Sequence, residues 1–428
     1  MKAVILAAGR GNRLDQKTKK IPKPMLTIGG YSILEHQINF LKKNGIREII
    51  IVVGYLSYII KNYFKDGRSF GVNITYFDLD KPLGTAGHLK LAKNKLTDDF
   101  IVLYGDIMLD MDIKRFIKFH KNKNSNCTLA IHPNDHPHDS DLLEIDDNHR
   151  IIAFHSKPHL KDKYLMNLNN ACVYIMSPKI LKYIKSEKEV ELDFGKHIFP
   201  KIFKKEKLFG YNTPEYIKDM GTPERLKQVT KDYLNNKIQR LNSKNKRKAI
   251  FLDRDGTINY DTDNLSNIDD FKLLPKTAQA IKLINSSEYL LCVVTNQPVL
   301  ARGLLNFKDL DKIHKKMDTL LGQQGAKIDK LYFCPHHPEK EFPGVPELRI
   351  KCNCRKPKPG MILKAAKELN IDLANSWIIG DSWRDIEAGR NAKINTILIK
   401  RNQQKFEKCQ FRTKKADNLY SAVKLILK

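Results

Sequence analysis

Cysteine is scarce in this chain: seven in 428 residues, an odd number without the density of a secreted disulfide framework, so a reducing cytoplasm is the expected setting. Long apolar runs are also missing. The densest stretch, residues 46 to 60, carries Arg47 and Glu48 and contains Gly54, far from the 18 uninterrupted apolar residues of a membrane span. The short apolar run Ala3 to Ala8 leads directly into Gly9-Arg10-Gly11-Asn12-Arg13, so no signal peptide is expected. There is no internal repeat and no long low-complexity tract, and collagenous and mucin-like classes drop out. Acidic side chains are the minority, 48 Asp+Glu against 76 Lys+Arg, and the net charge of +28 suits polyanionic partners: nucleic acid, anionic lipid or phosphorylated metabolites. At 41% hydrophobic and 29% charged residues, what remains is a folded soluble protein long enough for two or three domains.

Residues 235–248 combine polar residues with a basic run and read as a solvated linker between two regions of strand-helix alternation, 1–234 and 249–428. Before it, Val4 to Ala8, Ile49 to Val53 and Phe100 to Tyr104 have strand length and composition. Ser32 with Glu35 forms a capping-box signature, Leu34, Ile38 and Leu41 share one helical face, and Gly45 is a stop. After the linker, Ala249 to Leu252, Leu290 to Val294 and Trp377 to Ile379 repeat the pattern. Both halves are predicted to be α/β and Rossmann-like, with ligands gathering beyond strand C-termini.

In the first half, glycines at Gly9 and Gly11 let backbone N–H groups approach phosphate, and Arg13 adds a forked cation. Pro22-Lys23-Pro24 fixes one positive charge between two rigid residues. Leu83-Gly84-Thr85-Ala86-Gly87 is a second tight platform, and Gly105-Asp106 puts a carboxylate at a strand end, where Mg²⁺ could sit between phosphates. The order G-x-G-x-R-L, P-K-P-M, L-G-T-A-G, Y-G-D resembles the sugar-1-phosphate nucleotidyltransferases over about residues 1 to 233, which implies a mixed sheet. That resemblance implies that Leu6, Ala7, Ala8, Gly9 and Gly11, with Gly84, Thr85, Ala86 and Gly87, bracket nucleobase and ribose. It puts Arg13 and Lys23 on the triphosphate, Asp106 and Asp219 on Mg²⁺, and Lys157 on the sugar phosphate. Two positions depart from the family: Ser156 stands where Glu is usual, and Asn170-Ala171-Cys172 replaces N-A-G. The stretch His132 to Asp139 holds three histidines and two prolines and reads as a loop rather than a metal site. It resembles a loop of guanylyltransferases acting on heptose 1-phosphate, which implies GTP as the nucleotide.

In the second half, Asp253-Arg254-Asp255-Gly256-Thr257 follows an apolar strand, so two carboxylates at i and i+2 project from its end. One can attack phosphorus while the other handles the leaving-group proton and then activates water. Thr295-Asn296, Arg355-Lys356 and Gly380-Asp381 complete an ordered set that resembles the haloacid dehalogenase superfamily of phosphatases over about residues 248 to 400. The resemblance makes Asp253 the nucleophile and Asp255 the acid/base. It assigns Mg²⁺ to Asp253, the backbone carbonyl of Asp255, and Asp381, with Asp385 behind them and Thr295 and Lys356 on phosphate. Cys334-Pro335-His336 and Cys352-Asn353-Cys354 supply four soft ligands within 21 residues, the set of a closed structural Zn²⁺ site. Cys127, Cys172, Cys292 and Cys409 read as isolated thiols.

The Zn loop with D-R-D-G-T-I-N and C-R-K-P-K-P-G is similar to the heptose 1,7-bisphosphate phosphatases, with the histidinol phosphatases close by, and implies substrate contacts from Asp261, Asn264, Asn296 and Arg355. Pro298, Val299 and Ser382 depart from that pattern. A phosphatase that leaves a sugar 1-phosphate makes the substrate type a nucleotidyltransferase needs, so the pairing favours consecutive steps on small-molecule sugar phosphates. No nucleic-acid or membrane partner is expected. The rivals are a hexose 1-phosphate transferase fused to a histidinol-phosphatase-like enzyme, and a basic nucleic-acid-binding protein on inactive folds. The second fails to explain why so many catalytic side chains are retained.

Overall fold

Five consecutive apolar residues, Ala3–Ala7, form β1 at the centre of a nine-stranded mixed sheet in a computed structural model of the chain. The structure describes residues 1–428 except 10–13, 15–17, 80, 82, 161–162, 185–190, 339–342 and 401–412. Gly11, Arg13 and Cys409 therefore lie outside the described residues.

In chain order the principal elements of the first half are α1 (Ile33–Lys43), β2 (Glu48–Val53), α2 (Ser57–Phe64), β3 (Asn73–Asp78), α3 (Gly84–Leu91), β4 (Phe100–Tyr104), β5 (Ile107–Asp110) and α4 (Ile113–Asn122). There follow β6 (Cys127–His132), β7 (Leu142–Ile145), β8 (Ile151–His155), β9 (Asn169–Met176), β10 (Leu208–Asn212), β11 (Tyr216–Asp219) and α5 (Pro223–Leu234). The sheet runs β8-β7-β9-β4-β1-β2-β3, with β6 pairing β9 and β10, and β5 and β11 form a separate antiparallel pair. All of β1 is buried, as expected of a central parallel strand covered on both faces. Burying Val4, Ile5 and Leu6 contributes roughly 1.5–3 kcal/mol each.

Helix α1 starts at the predicted cap: Ser32 Oγ accepts from Glu35 N at 3.1 Å. Only half of the capping box forms, because the Glu35 carboxylate accepts from Tyr63 Oη of α2 at 2.9 Å instead. Gly45 adopts φ +80°, the left-handed stop that glycine permits.

The second half comprises β12 (Ala249–Leu252), α6 (Thr277–Ser286), β13 (Leu290–Asn296), α7 (Phe307–Gln323), β14 (Lys330–Cys334), α8 (Gly360–Leu369), β15 (Trp377–Gly380), α9 (Trp383–Asn391), β16 (Asn395–Ile399), β17 (Lys414–Ala416) and α10 (Leu419–Leu427). Its six strands are all parallel, in the order β14-β13-β12-β15-β16-β17. The order reverses at β12, so the crevice beyond its C-terminus is where such a sheet takes a ligand.

Two compact units result. One is Met1–His132, Ser140–Lys157 and Leu168–Asn242; the other is Pro133–Asp139, Pro158–Asn167 and Ser243–Lys428. Two short segments of the sequence's first half thus fold with the second unit. Leu165 N donates to Thr319 Oγ1 (3.0 Å) and Asn167 N to Asp318 Oδ2 (3.2 Å), both acceptors on α7. The stretch after His132 turns through a 3-10 segment, Pro137–Asp139, and contributes no cluster of metal-binding side chains among the described residues.

The reading of residues 235–248 as a solvated connector needs correction. The stretch contains a helical turn, Lys237–Arg240, and Arg247 is only 2% exposed, its guanidinium donating to Leu369 O. Asn370 Nδ2 donates to the carbonyls of Ser243 and Asn245, each at 3.0 Å. Among the described residues no helix is long and apolar enough to cross a membrane.

Candidate active sites

In the first unit, Gly105 N donates to Leu6 O at 2.9 Å, and a Cβ on Gly105 would lie 3.0 Å from that oxygen. Glycine is what lets the turn after β4 press against the end of β1. The turn is pinned from behind by Gln37 of α1, fully buried, whose Nε2 donates to both Tyr104 O and Ile107 O at 2.8 Å. Asp106 in this turn forms an ion pair with Lys23, which sits on a 3-10 segment preceded by Pro22. Met220 N donates to Asp106 O at 3.0 Å, so Asp219, at the end of β11, stands beside it. Arg225 of α5 binds both Asp219 oxygens through Nη1, at 2.8 and 3.1 Å. Arg225 and Gln37 carry no sequence signature, and only the fold exposes their roles.

Cys172 joins this neighbourhood. Its thiol is pushed well up, by burial first and then by the charges of Asp106, Asp219 and Asp193. Its backbone lies at φ +59°, the left-handed region that glycine occupies without strain. The departure from N-A-G at this position therefore retains a glycine-like backbone while adding a side chain. Lys157 is held through its backbone N–H by Asp141 Oδ1 at 3.2 Å, and the Asp141 carbonyl accepts from Asn170 N at 3.1 Å.

The L-G-T-A-G platform is the first turn of α3, and it is already engaged. Ala86 N and Gly87 N both donate to Leu192 O (2.7 and 3.4 Å), and Thr85 Oγ1 donates to Asp193 Oδ2 at 2.8 Å. A Cβ on Gly84 would lie 2.5 Å from Leu192 O, so glycine is required there for the close approach. Leu6 and Ala7 are buried in β1, whereas Gly9 is exposed.

In the second unit, Asp253 follows β12 and its Oδ2 meets Lys356 Nζ at 2.9 Å; the same ammonium lies 2.5 Å from Asp385 Oδ1. Lys356 is clamped by reciprocal bonds with Asn296, N to Oδ1 and Nδ2 to O, both 3.0 Å. Asp385 Oδ2 caps α9 through Ser382 N and Oγ at 3.0 and 2.8 Å, which gives Ser382 a role at its departure from the family pattern. A Cβ on Gly380 would lie 2.4 Å from Asp385, so glycine is required before Asp381.

The carboxylates of Asp253, Asp381 and Asp385 lie within 4.8 Å of one another. Burial and then Asp385 push the Asp253 carboxyl well above the usual range, Lys356 pulls it back, and Asp381 adds to the push. Asp253 and Asp385 share the Lys356 ammonium and Asp381 adds a third carboxylate, an oxygen-donor set that suits a hard divalent cation such as Mg²⁺. The group fits such an ion.

The Asp255 carboxylate is outside that trio. Burial pushes it up, but Arg254, Asn259 and Gln297 more than offset this and leave it below its ordinary value. Arg254 is completely buried, and the residue it serves is its own neighbour: Nε and Nη2 donate to Asp255 Oδ1 at 3.0 and 2.9 Å, and Nη2 to Oδ2 at 2.8 Å. Thr295, 1% exposed, accepts from Gln297 Nε2 at 2.9 Å. Asp261 and Asn264 stand on an exposed loop, and Asn264 Oδ1 accepts from Arg302 Nη1 at 2.6 Å. Arg355 donates to His336 O at 3.2 Å.

Cys334, His336, Cys352 and Cys354 also converge within 4.8 Å, with Cys354 Sγ 3.2 Å from Cys334 Sγ and 3.3 Å from Cys352 Sγ. The cysteines are not disulfide-bonded. Zn–S bonds of about 2.3 Å imply tetrahedral edges of roughly 3.8 Å, so one S₃N donor set around one Zn²⁺ fits with a small expansion.

With the comparisons that follow, the chain is an enzyme with a nucleotidyltransferase unit and a phosphatase unit, of families whose substrates are nucleotides and small sugar phosphates. A model of the family described as nucleotidyl transferase matches residues 2–236, and one described as HAD-hydrolase-like matches residues 353–423. The D-glycero-beta-D-manno-heptose-1,7-bisphosphate 7-phosphatase of Pasteurella multocida (strain Pm70) is 44% identical over 155 residues, 36% of this chain and 82% of that protein. A UTP–glucose-1-phosphate uridylyltransferase of Synechocystis sp. (strain ATCC 27184 / PCC 6803 / Kazusa) is 35% identical over 216 residues, 47% of this chain and 55% of that protein. A solved structure from Bacillus anthracis, assigned as a glucose-1-phosphate thymidylyltransferase, shares 27% identity at a TM-score of 0.50, over 54% of this chain and 94% of its own. The chain belongs to the nucleotidyl transferase family and, through the residues it shares with the Pasteurella protein, to the family of that phosphatase.

Proposed function

We propose that the protein is a bifunctional cytoplasmic enzyme of GDP-heptose synthesis, with its transferase on residues 1–234 and its phosphatase on residues 249–428. The observation that carries this reading is the pairing itself: one chain joins a nucleotidyltransferase to a unit 44% identical to a heptose 1,7-bisphosphate 7-phosphatase. Removing the 7-phosphate leaves a 1-phosphate, which the transferase unit would consume.

In the phosphatase, Asp253 Oδ attacks the 7-phosphorus and the bond to the sugar oxygen breaks, with Asp255 giving that oxygen its proton. Water then attacks the aspartyl phosphate, Asp255 takes its proton, and inorganic phosphate leaves with Asp253 regenerated. Thr295, Lys356 and Asn296 hold the phosphate, and Asp261, Asn264 and Arg355 face the sugar side. Mg²⁺ held by Asp253, the Asp255 carbonyl and Asp381, with Asp385 behind them, would neutralise charge on the transferring group. Zn²⁺ on Cys334, His336, Cys352 and Cys354 would be structural.

In the transferase, a sugar 1-phosphate oxygen attacks the α-phosphorus of GTP in line and the bond to pyrophosphate breaks. Lys23 and Arg13 balance the triphosphate, Asp106 and Asp219 would hold Mg²⁺, and Lys157 meets the sugar phosphate. Leu6 to Gly9, Gly11 and Gly84 to Gly87 bracket the nucleoside through contacts other than the spent amides of Ala86 and Gly87.

The test supplies purified protein with D-glycero-D-manno-heptose 1,7-bisphosphate and each NTP in turn. Phosphate release should precede pyrophosphate release, and pyrophosphate should appear fastest with GTP, since a base pocket that pairs buried donors and acceptors discriminates strongly. Preference for dTTP or CTP, or faster turnover of glucose 1-phosphate, overturns the assignment.

A further inference from the structure

Helix α7 carries more than the core of the second unit. Two segments written in the first half of the sequence, Pro133–Asp139 and Pro158–Asn167, fold against it within that unit. Thr319 Oγ1 accepts from Leu165 N at 3.0 Å and donates to Leu165 O at 3.3 Å, so one hydroxyl satisfies both backbone groups of a buried residue. Asp318 Oδ2 accepts from Asn167 N at 3.2 Å, and the Lys316 ammonium lies 5.5 Å from the centre of the Tyr164 ring. Asn167 passes the anchorage on. Its Oδ1 accepts from Asn134 N at 3.1 Å and its Nδ2 donates to Asn134 O at 2.8 Å, which joins the two segments to each other. Pro137 then closes on the helix where α7 has a glycine, since a Cβ on Gly322 would lie 2.4 Å from Pro137 Cγ. No step of the phosphatase reaction uses these contacts.

What the segments share is where they lead. Asp139 is followed two residues later by Asp141, and Asn167 three residues later by Asn170. In the first unit Asp141 ties the sugar side together, its Oδ1 accepting from Lys157 N and its carbonyl from Asn170 N. Lys157 itself directly precedes the second segment. We propose that Thr319 and Gly322 of α7 are positioning residues for the transferase: by holding Leu165 and Pro137 they set Lys157, Asp141 and Asn170 in the arrangement that receives the sugar 1-phosphate. The inference rests on the reading of Lys157 as the residue that meets the sugar phosphate. Its physical basis is conformational entropy. A segment released from its anchors must be ordered by the incoming sugar phosphate, and the affinity falls by the cost of that ordering. The nucleotide side is spared, because its residues belong to β1 and to α3, whose first turn is held by Leu192 and Asp193.

The test uses the full-length chain and follows pyrophosphate release at varied heptose 1-phosphate and at varied GTP, or with the sugar 1-phosphate and NTP that the wild type turns over fastest. Thr319→Val keeps the shape and loses the hydroxyl, so the KM for sugar 1-phosphate should rise roughly tenfold while kcat and the KM for the NTP stay near their wild-type values. Thr319→Ser, which retains the hydroxyl, should restore the wild-type KM. Gly322→Ala perturbs the other segment: alanine suits a helix, but its Cβ must displace Pro137, and the same KM should rise. Hydrolysis of p-nitrophenyl phosphate by the second unit reports folding and should stay near wild type. A merely structural lesion lowers kcat for both reactions and leaves the sugar KM alone. An unchanged sugar KM in Thr319→Val, or an equal rise in the KM for the NTP, overturns the proposal; if that variant does not fold, Gly322→Ala decides by the same two criteria. Wild-type protein that releases no pyrophosphate from any such pair overturns the reading of the first unit instead, and the proposal with it.

Discussion

The two sites solve charge placement differently. In the first unit the carboxylates stay accessible: the side chains of Asp106 and Asp219 are each 31% exposed, Asp106 paired with Lys23 and Asp219 with Arg225. In the second unit the positioning groups are sealed, with Arg254 and Asp385 at 0% and Lys356 at 3%. A transferase that must admit a triphosphate and a sugar phosphate keeps its charges open to incoming ligands and spends core residues such as Gln37 on backbone geometry. A covalent phosphatase needs its nucleophile and proton carrier fixed to within a few tenths of an ångström, and buried ion pairs supply that fixity. Such pairs are poor sources of net stability and costly to break.

The largest expected effect separates the sites outright. Asp253→Asn should lower phosphate release by more than about a thousandfold while pyrophosphate release from supplied sugar 1-phosphate continues, because the nucleophile serves only one unit. Parallel loss of both activities in a folded variant would break the comparison. Next, Cys352→Ser should reduce bound zinc, measured by atomic emission, and destabilise the second unit alone by an amount on the order of several kcal/mol. Wild-type protein without zinc rejects this outcome.

The smallest effect is a pH dependence confined to the second unit. Burial pushes the Asp318 carboxyl up to about 7, the Asn167 N–H pulls it down and Asp311 adds to the rise. In the unfolded chain the same group titrates near its ordinary value of about 3.9. The folded value is the higher one, so its stabilisation is complete below about pH 4 and is lost as pH rises through about 7. Asp318→Asn should flatten the fall in the second unit's thermal midpoint between pH 5 and 8; an unchanged slope in the variant counts against it.

Both sheets were legible because buried parallel strands are short continuous apolar runs: Phe100–Tyr104 and Ala249–Leu252 have the bounds their composition predicts. Asp253 and Asp381 could be placed from the sequence because each directly follows a short apolar strand run, and the fold brings their carboxylates together, with Lys356 on Asp253. Glu35 was half legible: its place in the helix follows from local spacing, but its partner is Tyr63, 28 residues away, whose phenol outcompetes the local amide. Arg225, Gln37 and the buried Arg247 were not legible at all. A buried polar side chain is chosen by what the tertiary structure leaves unsatisfied, and no local period records that. The basic stretch around Arg247 read as solvated because charge runs usually are, yet the carbonyl of Leu369 waits for it.

Gln37 carries a consequence for how variants of this chain should be interpreted. It lies in the middle of an amphipathic helix, fully enclosed, and its amide bridges the carbonyls on either side of Gly105-Asp106. A genetic screen would file a lesion there under folding, since the residue meets no ligand. Its loss would also release the turn that carries Asp106, so the boundary between core and site phenotypes runs through the interior of α1 rather than around the site.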